Sequence, residues 1–362
     1  MRHWLVILLL STLGVGSVML SSCRKDDLFD TDGELAFSQD TILFDTVFTT
    51  VGSVTQQLKI YNPSNRRIKI NSVELAGGSS SPFRINLDGV SGTIFRNIEL
   101  DGSDSLFLFA EVTLGVNGQT YPLVIEDSIL FETNGTVQSV RLTVWGQDAY
   151  FHVNELVSGT WQNDKPHVLY GTVAVGFPGL DSNQTLTIPA GTMVHGHYNS
   201  SLIVYKSQLR VEGQEGNEVH FLSDRLDPYY RDLPGQWNGI YMLQSNDSEI
   251  EHAIIENAVT AVRCDTVFTA GTPALTMNKT EVRNNTFGGL IGLGSHIVAN
   301  NCLIADAGSY CAYFGWGGTY QLNHVTMANY YSYGTRQLPS FVLNNYYETQ
   351  AGFVVRPPTN CT

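Results

Sequence analysis

The chain has 362 residues, of which 43% are hydrophobic and 15% charged, with 34 Gly, 17 Tyr and 17 Phe. Its formal net charge of −14 would repel phosphate backbones, and it has no run rich in Lys or Arg, so we expect no nucleic-acid partner. The composition is typical of a turn-rich all-β protein, and the length allows two domains.

Residues 1–22 have the pattern of a secretory signal peptide. Arg2 and His3 form a short basic region, and an apolar stretch follows that ends in small residues before Cys23. The stretch is short and contains two glycines, so a permanent membrane-spanning helix is the poorer interpretation. An ordinary signal peptide, cleaved before a free cysteine, remains the alternative.

The segment Leu20-Ser21-Ser22-Cys23 resembles a bacterial lipobox. The resemblance implies that Cys23 is lipidated and becomes the first residue of the mature chain, whose acyl chains are its membrane partner. We expect residues 23–38 to form a lipidated tether. Three charged residues after the cysteine resemble the export signal of Bacteroidota surface lipoproteins: Lys25, Asp26 and Asp27. That implies an outer-membrane lipoprotein on the cell surface, with the periplasmic face as the alternative.

Residues 39–148 contain short apolar runs separated by turn formers such as Asn134-Gly135. About eight predicted strands in roughly 100 residues indicate a β-sandwich. The predicted strands are Thr41–Phe48, Thr55–Tyr61, Arg67–Leu75, Phe83–Leu87, Ser105–Val112, Thr120–Ile125, Ser128–Glu132 and Val137–Trp145. Their order resembles the immunoglobulin-like domains of the abnormal-spindle and choice-of-anchor type, which implies a spacer or docking module.

Residues 149–362 repeat with the period of a β-helix. If Asn257, Asn284, Asp306 and Asn329 are equivalent, they lie 27, 22 and 23 residues apart, the length of one coil. Three columns then point inward: Ile255, Val282, Ile304 and Met327; Ala253, Thr280, Cys302 and Val325; and Ile250, Met277, Ala299 and Leu322. A column of His252, Lys279, Asn301 and His324 points to solvent. Asn278, Asn300 and Asn323 form a further column, at which we expect left-handed bends and amide bonds between coils.

The runs Thr185–Thr192, Ser201–Tyr205 and Val219–Leu222 resemble the entry coils of right-handed parallel β-helix proteins of the pectate-lyase-like superfamily. The resemblance implies that fold for residues 149–362, and it leaves function open, because this fold carries lyases, hydrolases and noncatalytic modules alike. No capping helix is evident at the C-terminus, which suggests a truncated reading frame or an end covered by a partner. Whether Cys302 and Cys311 form a disulfide bond stays open.

The richest polar insertion of this module is a candidate site for glycan or calcium. Carboxylates can hold Ca²⁺ through oxygen ligands, and arginine with tyrosine suits acidic sugars. The alternative is a loop tied down by its own Arg–Asp pairs. The candidate residues are Asp224, Arg225, Asp227, Tyr229, Tyr230, Arg231 and Asp232. Beyond this calcium, no cofactor is expected.

Three further groups carry possible chemistry. The row His252, Lys279 and His324 places a base and cations on one face, as in polysaccharide lyases of this fold, or is simply solvated. His195 and His197 could form half of a metal site, although the spacing offers no third ligand. Aromatic residues near the C-terminus could stack on sugars or pack inside the coils: Tyr310, Tyr313, Phe314, Trp316, Tyr320, Tyr330, Tyr331, Tyr333, Tyr346 and Tyr347.

These patterns predict a noncatalytic cell-envelope lipoprotein that presents a β-helix to a glycan or to an envelope protein. A polysaccharide lyase or glycoside hydrolase is the first alternative and requires acidic or basic groups converging on one groove. A structural envelope protein is the second alternative. The positions of Asp224, Asp227, Asp232, His252 and Lys279 discriminate between them, because convergence favours an enzyme and dispersion favours a binder or scaffold.

Overall fold

The computed structural model describes residues 29–115, 123–245, 247–265, 271–349, 352–356 and 359–362. The predicted signal peptide, Cys23, Lys25, Asp26 and Asp27 lie outside these residues. The regular secondary structure of the described residues consists of strands, apart from a 3-10 helix, Gly78–Ser80, and a one-turn α-helix, Pro228–Arg231. This confirms the all-β prediction. No helix within these ranges is long and apolar enough to cross a membrane.

The chain divides into two compact units, one made mainly of residues 29–145 and the other mainly of residues 146–362. We call them the antiparallel unit and the parallel-strand unit. The antiparallel unit contains β1 (Ala36–Phe37), β2 (Thr41–Phe48), β3 (Gln56–Tyr61), β4 (Ile68–Leu75), β5 (Phe83–Leu87), β6 (Val90–Gly92), β7 (Ile94–Leu100), β8 (Ser105–Val112), β9 (Leu123–Thr133) and β10 (Thr136–Gln147).

The antiparallel unit has two five-stranded sheets, ordered β1-β3-β8-β5-β6 and β2-β10-β9-β4-β7. Alternate residues are buried along the strands, as in β3, where Leu58 and Ile60 are fully buried. The sequence missed β6 and β7, because both have few buried side chains and lack the apolar alternation that marks a strand. It also split β9 into two strands.

The described residues begin inside the segment predicted to be a tether, residues 23–38. Leu35 is buried, and β1 pairs with β3 through Ala36 and Phe37. Leu35 also donates its backbone N–H to the side chain of Gln138, 103 residues further along the chain. The last residues of the segment therefore belong to a sheet.

The parallel-strand unit contains β11 (Tyr150–Val153), β12 (Gly159–Thr160), β13 (His167–Tyr170), β14 (Thr172–Val175), β15 (Thr185–Pro189), β16 (Met193–Gly196), β17 (Ser201–Tyr205), β18 (Gln208–Glu212), β19 (Val219–Ser223), β20 (Gly239–Leu243), β21 (Ser248–Glu251), β22 (Ala253–Glu256), β23 (Thr260–Asp265), β24 (Leu275–Asn278), β25 (Glu281–Arg283), β26 (Gly288–Asn300), β27 (Leu303–Ala305), β28 (Tyr310–Asn323), β29 (Thr326–Ala328), β30 (Phe341–Leu343), β31 (Tyr346–Thr349), β32 (Gly352–Val355) and β33 (Thr359–Cys361).

Except for the β31–β32 hairpin, these strands form three parallel rows that the chain visits in a repeating order. Row A is the eight-stranded sheet β11-β13-β16-β19-β22-β25-β27-β29. Row B joins β14, β17, β20, β23, the first parts of β26 and β28, and β30. Row C joins β12, β15, β18, β21, β24, the last parts of β26 and β28, and β33.

The register confirms the columns read from the sequence. Ile255 pairs with Val282, which pairs with Ile304, and Met327 follows. The column from Ile250 through Met277 and Ala299 to Leu322 is also in register. The inward side chains of these rows join one buried hydrophobic cluster that runs from Trp161 to Tyr320. Because this cluster is continuous from layer to layer, each layer is stabilised by burial against the next.

Two corners of the unit turn through left-handed residues. One is formed by His252, Lys279, Asn301 and His324, with φ between 46° and 53°, and the other by Asn257, Asn284 and Asp306, with φ between 51° and 63°. The sequence placed a left-handed bend at Asn278, Asn300 and Asn323, which is one residue too early, because these asparagines end strands of row C. Their amides do bond between layers: Asn300 and Asn323 each donate over 2.8 Å to the preceding member.

The four cysteines of the described chain carry free thiols, three of them buried: Cys264, Cys302 and Cys311. Burial raises the pKa of Cys264 to about 12 and also raises the pKa of the other two thiols. Cys302 packs in the core with Ala253 and Val282, as its inward column predicts.

Candidate functional site

Two insertions meet at the corner where row A passes into row B. The first, residues 224–238, joins β19 to β20, and the second, residues 329–340, joins β29 to β30. Between them lies an open groove of about 530 Å³, here called the polar groove. It is lined by Arg231, Asp232, Glu256, Asn257, Arg283, Asn284, Asp306, Tyr330, Tyr331, Ser332 and Tyr333.

Two stacked asparagines fix the first insertion to the floor of the groove. Asn257 donates from Nδ2 to the carbonyl oxygen of Arg231, and Asn284 donates to that of Asp232, both over 2.6 Å. Asn284 Nδ2 also lies 2.7 Å from Asn257 Oδ1, one layer below. The backbone of both residues is left-handed, and their side-chain amides bind the loop. The column of Asn257 and Asn284 therefore positions the first insertion.

The second insertion supplies three tyrosines to the opposite side. Tyr333 donates its hydroxyl to the carbonyl oxygen of Asp232 over 2.9 Å, which connects the two insertions directly. The backbone N–H of Tyr330 donates to Asp306 Oδ1 over 2.7 Å. The rings of Tyr331 and Tyr333 lie 5.9 Å apart, edge to face. Tyr330 is 85% exposed and Tyr333 is 52% exposed. Such rings present an apolar face and a polar tip to a ligand.

Arg283 is the best anchored cation of the groove. Its Nε lies 2.8 Å from Glu256 Oε2, and its Nη1 lies 2.7 Å from Glu281 Oε1. Burial by itself would lower the pKa of the guanidinium, but the two carboxylates outweigh burial and the pKa is raised. Arg231 is held more loosely, with its Nε 3.9 Å from Asp232 Oδ1. The groove therefore contains positively charged guanidinium groups and negatively charged carboxylates close to one another.

The other residues of the predicted loop site point to different partners. Asp227 pairs with Arg225 at 3.5 Å, and the guanidinium of Arg225 lies 3.7 Å from the ring centre of Tyr230. Tyr229 is exposed and packs edge-on against Tyr230. Of the seven residues proposed for this site, only Arg231 and Asp232 line the polar groove. Arg225, Asp227, Tyr229 and Tyr230 contact one another, as in the loop tied down by its own pairs that the sequence left open as the alternative.

Asp224 binds a histidine of the preceding layer. Its Oδ2 lies 2.6 Å from Nδ1 of His197, and the imidazole stacks on the ring of Tyr170, with 4.2 Å between ring centres. The Asp224 side chain is 3% exposed, and burial raises the pKa of its carboxyl group although His197 opposes the shift. A buried carboxylate that orients an imidazole is an arrangement suited to a general base.

The two histidines proposed as half of a metal site do not converge. His195 is buried and its Nδ1 lies 2.7 Å from the carbonyl oxygen of Ser223, whereas His197 binds Asp224. In the described ranges, no group of three or more His, Cys, Asp or Glu side chains could hold a metal ion. The predicted calcium site in the loop is not formed either, because its three carboxylates pair with His197, Arg225 and Arg231.

His252, Lys279 and His324 lie at the end of the row A strands that is opposite to the polar groove. Lys279 Nζ is 3.2 Å from His252 Nε2, and His324 is exposed two layers further on. The four residues of β22 lie between His252 and Asn257, so the two are five residue steps apart, about 16 Å of extended chain. His252 and Lys279 therefore do not reach the polar groove, and neither does Asp224, which lies in earlier layers. The five discriminating residues are dispersed.

The C-terminal aromatic residues divide between the two uses that the sequence allowed. Phe314 and Tyr320 are buried and stack at 4.1 Å between ring centres. Tyr310 and Tyr313 are neighbours at 5.1 Å, and Trp316 contacts Tyr347 at the same distance. Only Tyr330, Tyr331 and Tyr333 line the groove. Sequence reasoning missed Glu256 and Arg283, although both flank members of the Asn257 and Asn284 column.

No family model matches the chain, and no curated protein matches it. Among solved structures, the chain is similar to a protein of unknown function from Porphyromonas gingivalis W83 (17% identity, 35% of this chain, 59% of that chain, TM-score 0.25). It is also similar to the periplasmic chaperone SfaE (13%, 32%, 58%, 0.22) and to the ASH/PapD-like domain of human CEP192 (13%, 35%, 92%, 0.22). The chain thus spans just under three fifths of the first two proteins, and these similarities assign neither a family nor an activity.

Proposed function

We propose that this protein is a cell-envelope lipoprotein that binds glycan in the polar groove without chemical turnover. The observation that carries the proposal is the groove itself, in which exposed tyrosine rings stand beside the exposed carboxylate of Asp232. Aromatic faces stack on the C–H faces of pyranose rings, and the polar groups accept and donate bonds to hydroxyls. The asparagine floor supports the loop, so the site is largely formed before a ligand arrives.

The proposed cellular context comes from the sequence. Residues 1–22 would be removed, the acylated Cys23 would anchor the chain in the outer membrane, and Lys25, Asp26 and Asp27 would direct it to the cell surface. The periplasmic face is the alternative location. A glycan-binding module on a lipid anchor would hold polysaccharide at the envelope.

We also propose a finer description of the two folds. Three parallel strands in each layer, a layer repeat of 22–27 residues and asparagine bonds between layers support a right-handed parallel β-helix of the pectate-lyase-like type for the parallel-strand unit. Two sheets with alternate buried residues support an immunoglobulin-like domain of the abnormal-spindle or choice-of-anchor type for the antiparallel unit.

The test is binding of the purified chain to an array of immobilised polysaccharides. We expect at least one polysaccharide to bind, and Tyr330→Ala to weaken that binding about tenfold through loss of ring stacking. Tyr198→Ala is the matched control, because Tyr198 is 68% exposed and lies outside the groove. An array without binding, or equal losses in both variants, would contradict the proposal.

The lyase or hydrolase alternative has one specific observation in its favour, the His197–Asp224 pair. An imidazole held through Nδ1 by a buried carboxylate could remove a proton beside a uronate with its other nitrogen. The discriminating measurement is ultraviolet absorbance of unsaturated products during incubation with uronate polymers. Turnover that disappears in His197→Ala would replace binding by catalysis as the function. The structural envelope protein is the reading that remains if neither binding nor turnover is found.

A further inference from the structure

The polar groove carries a small excess of negative charge. Its lining contains two arginines and three carboxylates, a formal charge of −1, on a chain whose net charge is −14. We propose that the groove selects neutral, hydroxyl-rich polysaccharides and rejects polyanionic ones such as uronate polymers. This inference rests on the proposed glycan binding and names the class of glycan.

Arg283 is a weak attractor for an acidic ligand because two carboxylates already neutralise it. Its Nε and Nη1 donate to Glu256 and Glu281, and the Glu256 side chain is only 19% exposed. A ligand carboxylate that approached the remaining N–H groups would lie close to both carboxylates and be repelled by them. Arginine recognises carboxylates well when its planar fork is free, and here two of its donors are already occupied.

Arg231 is the more exposed cation of the groove. Its side chain is 64% exposed and its neighbour Asp232 is 77% exposed. At this exposure a single guanidinium attracts anions weakly, and the adjacent carboxylate repels them by a similar amount. The backbone of both residues is fixed by Asn257 and Asn284, so the pair is presented together and the two charges offset each other.

The groove also contains groups that can bind the hydroxyls and rings of a neutral sugar. Asp232 is an exposed carboxylate at the groove wall, and a carboxylate accepts hydrogen bonds from sugar hydroxyls without a charged partner. Tyr330 and Tyr333 provide ring faces together with phenolic hydroxyls. A neutral pyranose can contact both kinds of group, and because it carries no charge the carboxylates do not repel it. Whereas Arg and Tyr in the sequence alone suited acidic sugars, the arrangement in the groove favours neutral ones.

The experiment compares the full chain on two sets of immobilised polysaccharides at low ionic strength, where electrostatic interactions with a polyanion are least screened. One set contains neutral glucans, mannans, galactans and xylans, and the other contains polygalacturonate and alginate. We expect binding within the neutral set and at least about tenfold weaker binding to both polyanions. Preferential binding of a polyanion overturns this inference but leaves glycan binding intact. Binding to neither set overturns the proposed function itself.

A charge-matched pair of variants tests the cause. Glu281→Gln frees part of the Arg283 guanidinium, and we expect it to strengthen polygalacturonate binding about fivefold by removing one nearby like charge. Glu249→Gln is the control, because Glu249 pairs with Arg210 in row C, away from the groove, and the net charge changes equally. Equal effects of the two variants would mean that overall charge, and not Arg283, sets the preference. Thermal unfolding midpoints verify that both variants fold.

Discussion

Two buried histidines illustrate how residue-scale burial controls ionisation. His195 is 3% exposed, and burial lowers its pKa to about 4 although its bond to the Ser223 carbonyl opposes the shift. Burial likewise lowers the pKa of His167 to about 4. Both rings are neutral at pH 7, where they act as hydrogen-bonding core residues of the parallel-strand unit. The sequence showed the two residues but could not show that they are buried.

These histidines make stability depend on pH. The pKa of an unfolded histidine is about 6.5, so between about pH 6.5 and 4 the unfolded chain binds more protons than the folded one. The His195 contribution is therefore complete above pH 6.5 and falls by up to about 3 kcal/mol as the pH decreases to 4. We expect His195→Asn to flatten this loss in urea unfolding followed by circular dichroism. His324→Asn, at an exposed position, should keep the wild-type slope; a parallel slope for His195→Asn would refute the assignment.

At the scale of elements, columns of equivalent residues define the edges of the strand rows. The amide of Asn300 donates to Asn278 and accepts from Asn323, so one side chain connects three layers of row C. At the opposite corner, the bond between Asn284 and Asn257 connects two layers, and both side chains also support the groove. Side-chain bonds therefore reinforce the backbone pairing between layers at the points where the chain turns.

Removal of Asn300 should weaken this connection. Asn300→Ala deletes two hydrogen bonds at a half-buried site, and we expect a loss of about 2 kcal/mol in the free energy of unfolding. The measurement is the shift of the urea midpoint at constant slope. Asn163→Ala is the control, since exposed Asn163 donates to the Ala190 carbonyl and should cost less than about 0.5 kcal/mol. A loss no greater than that of the control would mean that the ladder does not stabilise the layers.

At the scale of the whole molecule, the proposed lipid anchor explains how an acidic chain would reside at a membrane. The net charge of −14 gives no attraction to anionic lipid, so under this proposal the acyl chains at Cys23 would provide the attachment. The two described units would then be presented to the medium by the residues between Cys23 and β1.

Substitution of the lipidated cysteine tests this attachment. We expect Cys23→Ala to abolish metabolic labelling with a palmitate analogue and to move the protein from the membrane pellet to the soluble fraction. Cys361→Ala is the control, because Cys361 lies in β33 at the far end of the chain and should leave both readouts unchanged. Persistent labelling of Cys23→Ala would exclude lipidation at this position.

Repetition in the sequence was enough to predict the stacking of layers. The inward and outward columns follow from the strict alternation of side chains along strands and from layer lengths of 22–27 residues, both of which are local properties. The bend at Asn300 was misplaced by one residue, since asparagine suits both the strand end and the left-handed turn beside it. β7 was missed, because it has few buried positions and no clear period.

The groove, by contrast, was decided by the tertiary structure. Tyr333 donates its hydroxyl to the Asp232 carbonyl across 101 residues of sequence, and no local pattern links the two insertions. They meet because both leave row A at the same corner and the intervening layers stack between them. Likewise, only the tertiary structure showed that Arg283, which the sequence had not singled out, lines the groove and pairs with Glu256 and Glu281. Sequence thus determined the periodic scaffold, which depends on short-range alternation, while the site depended on long-range proximity.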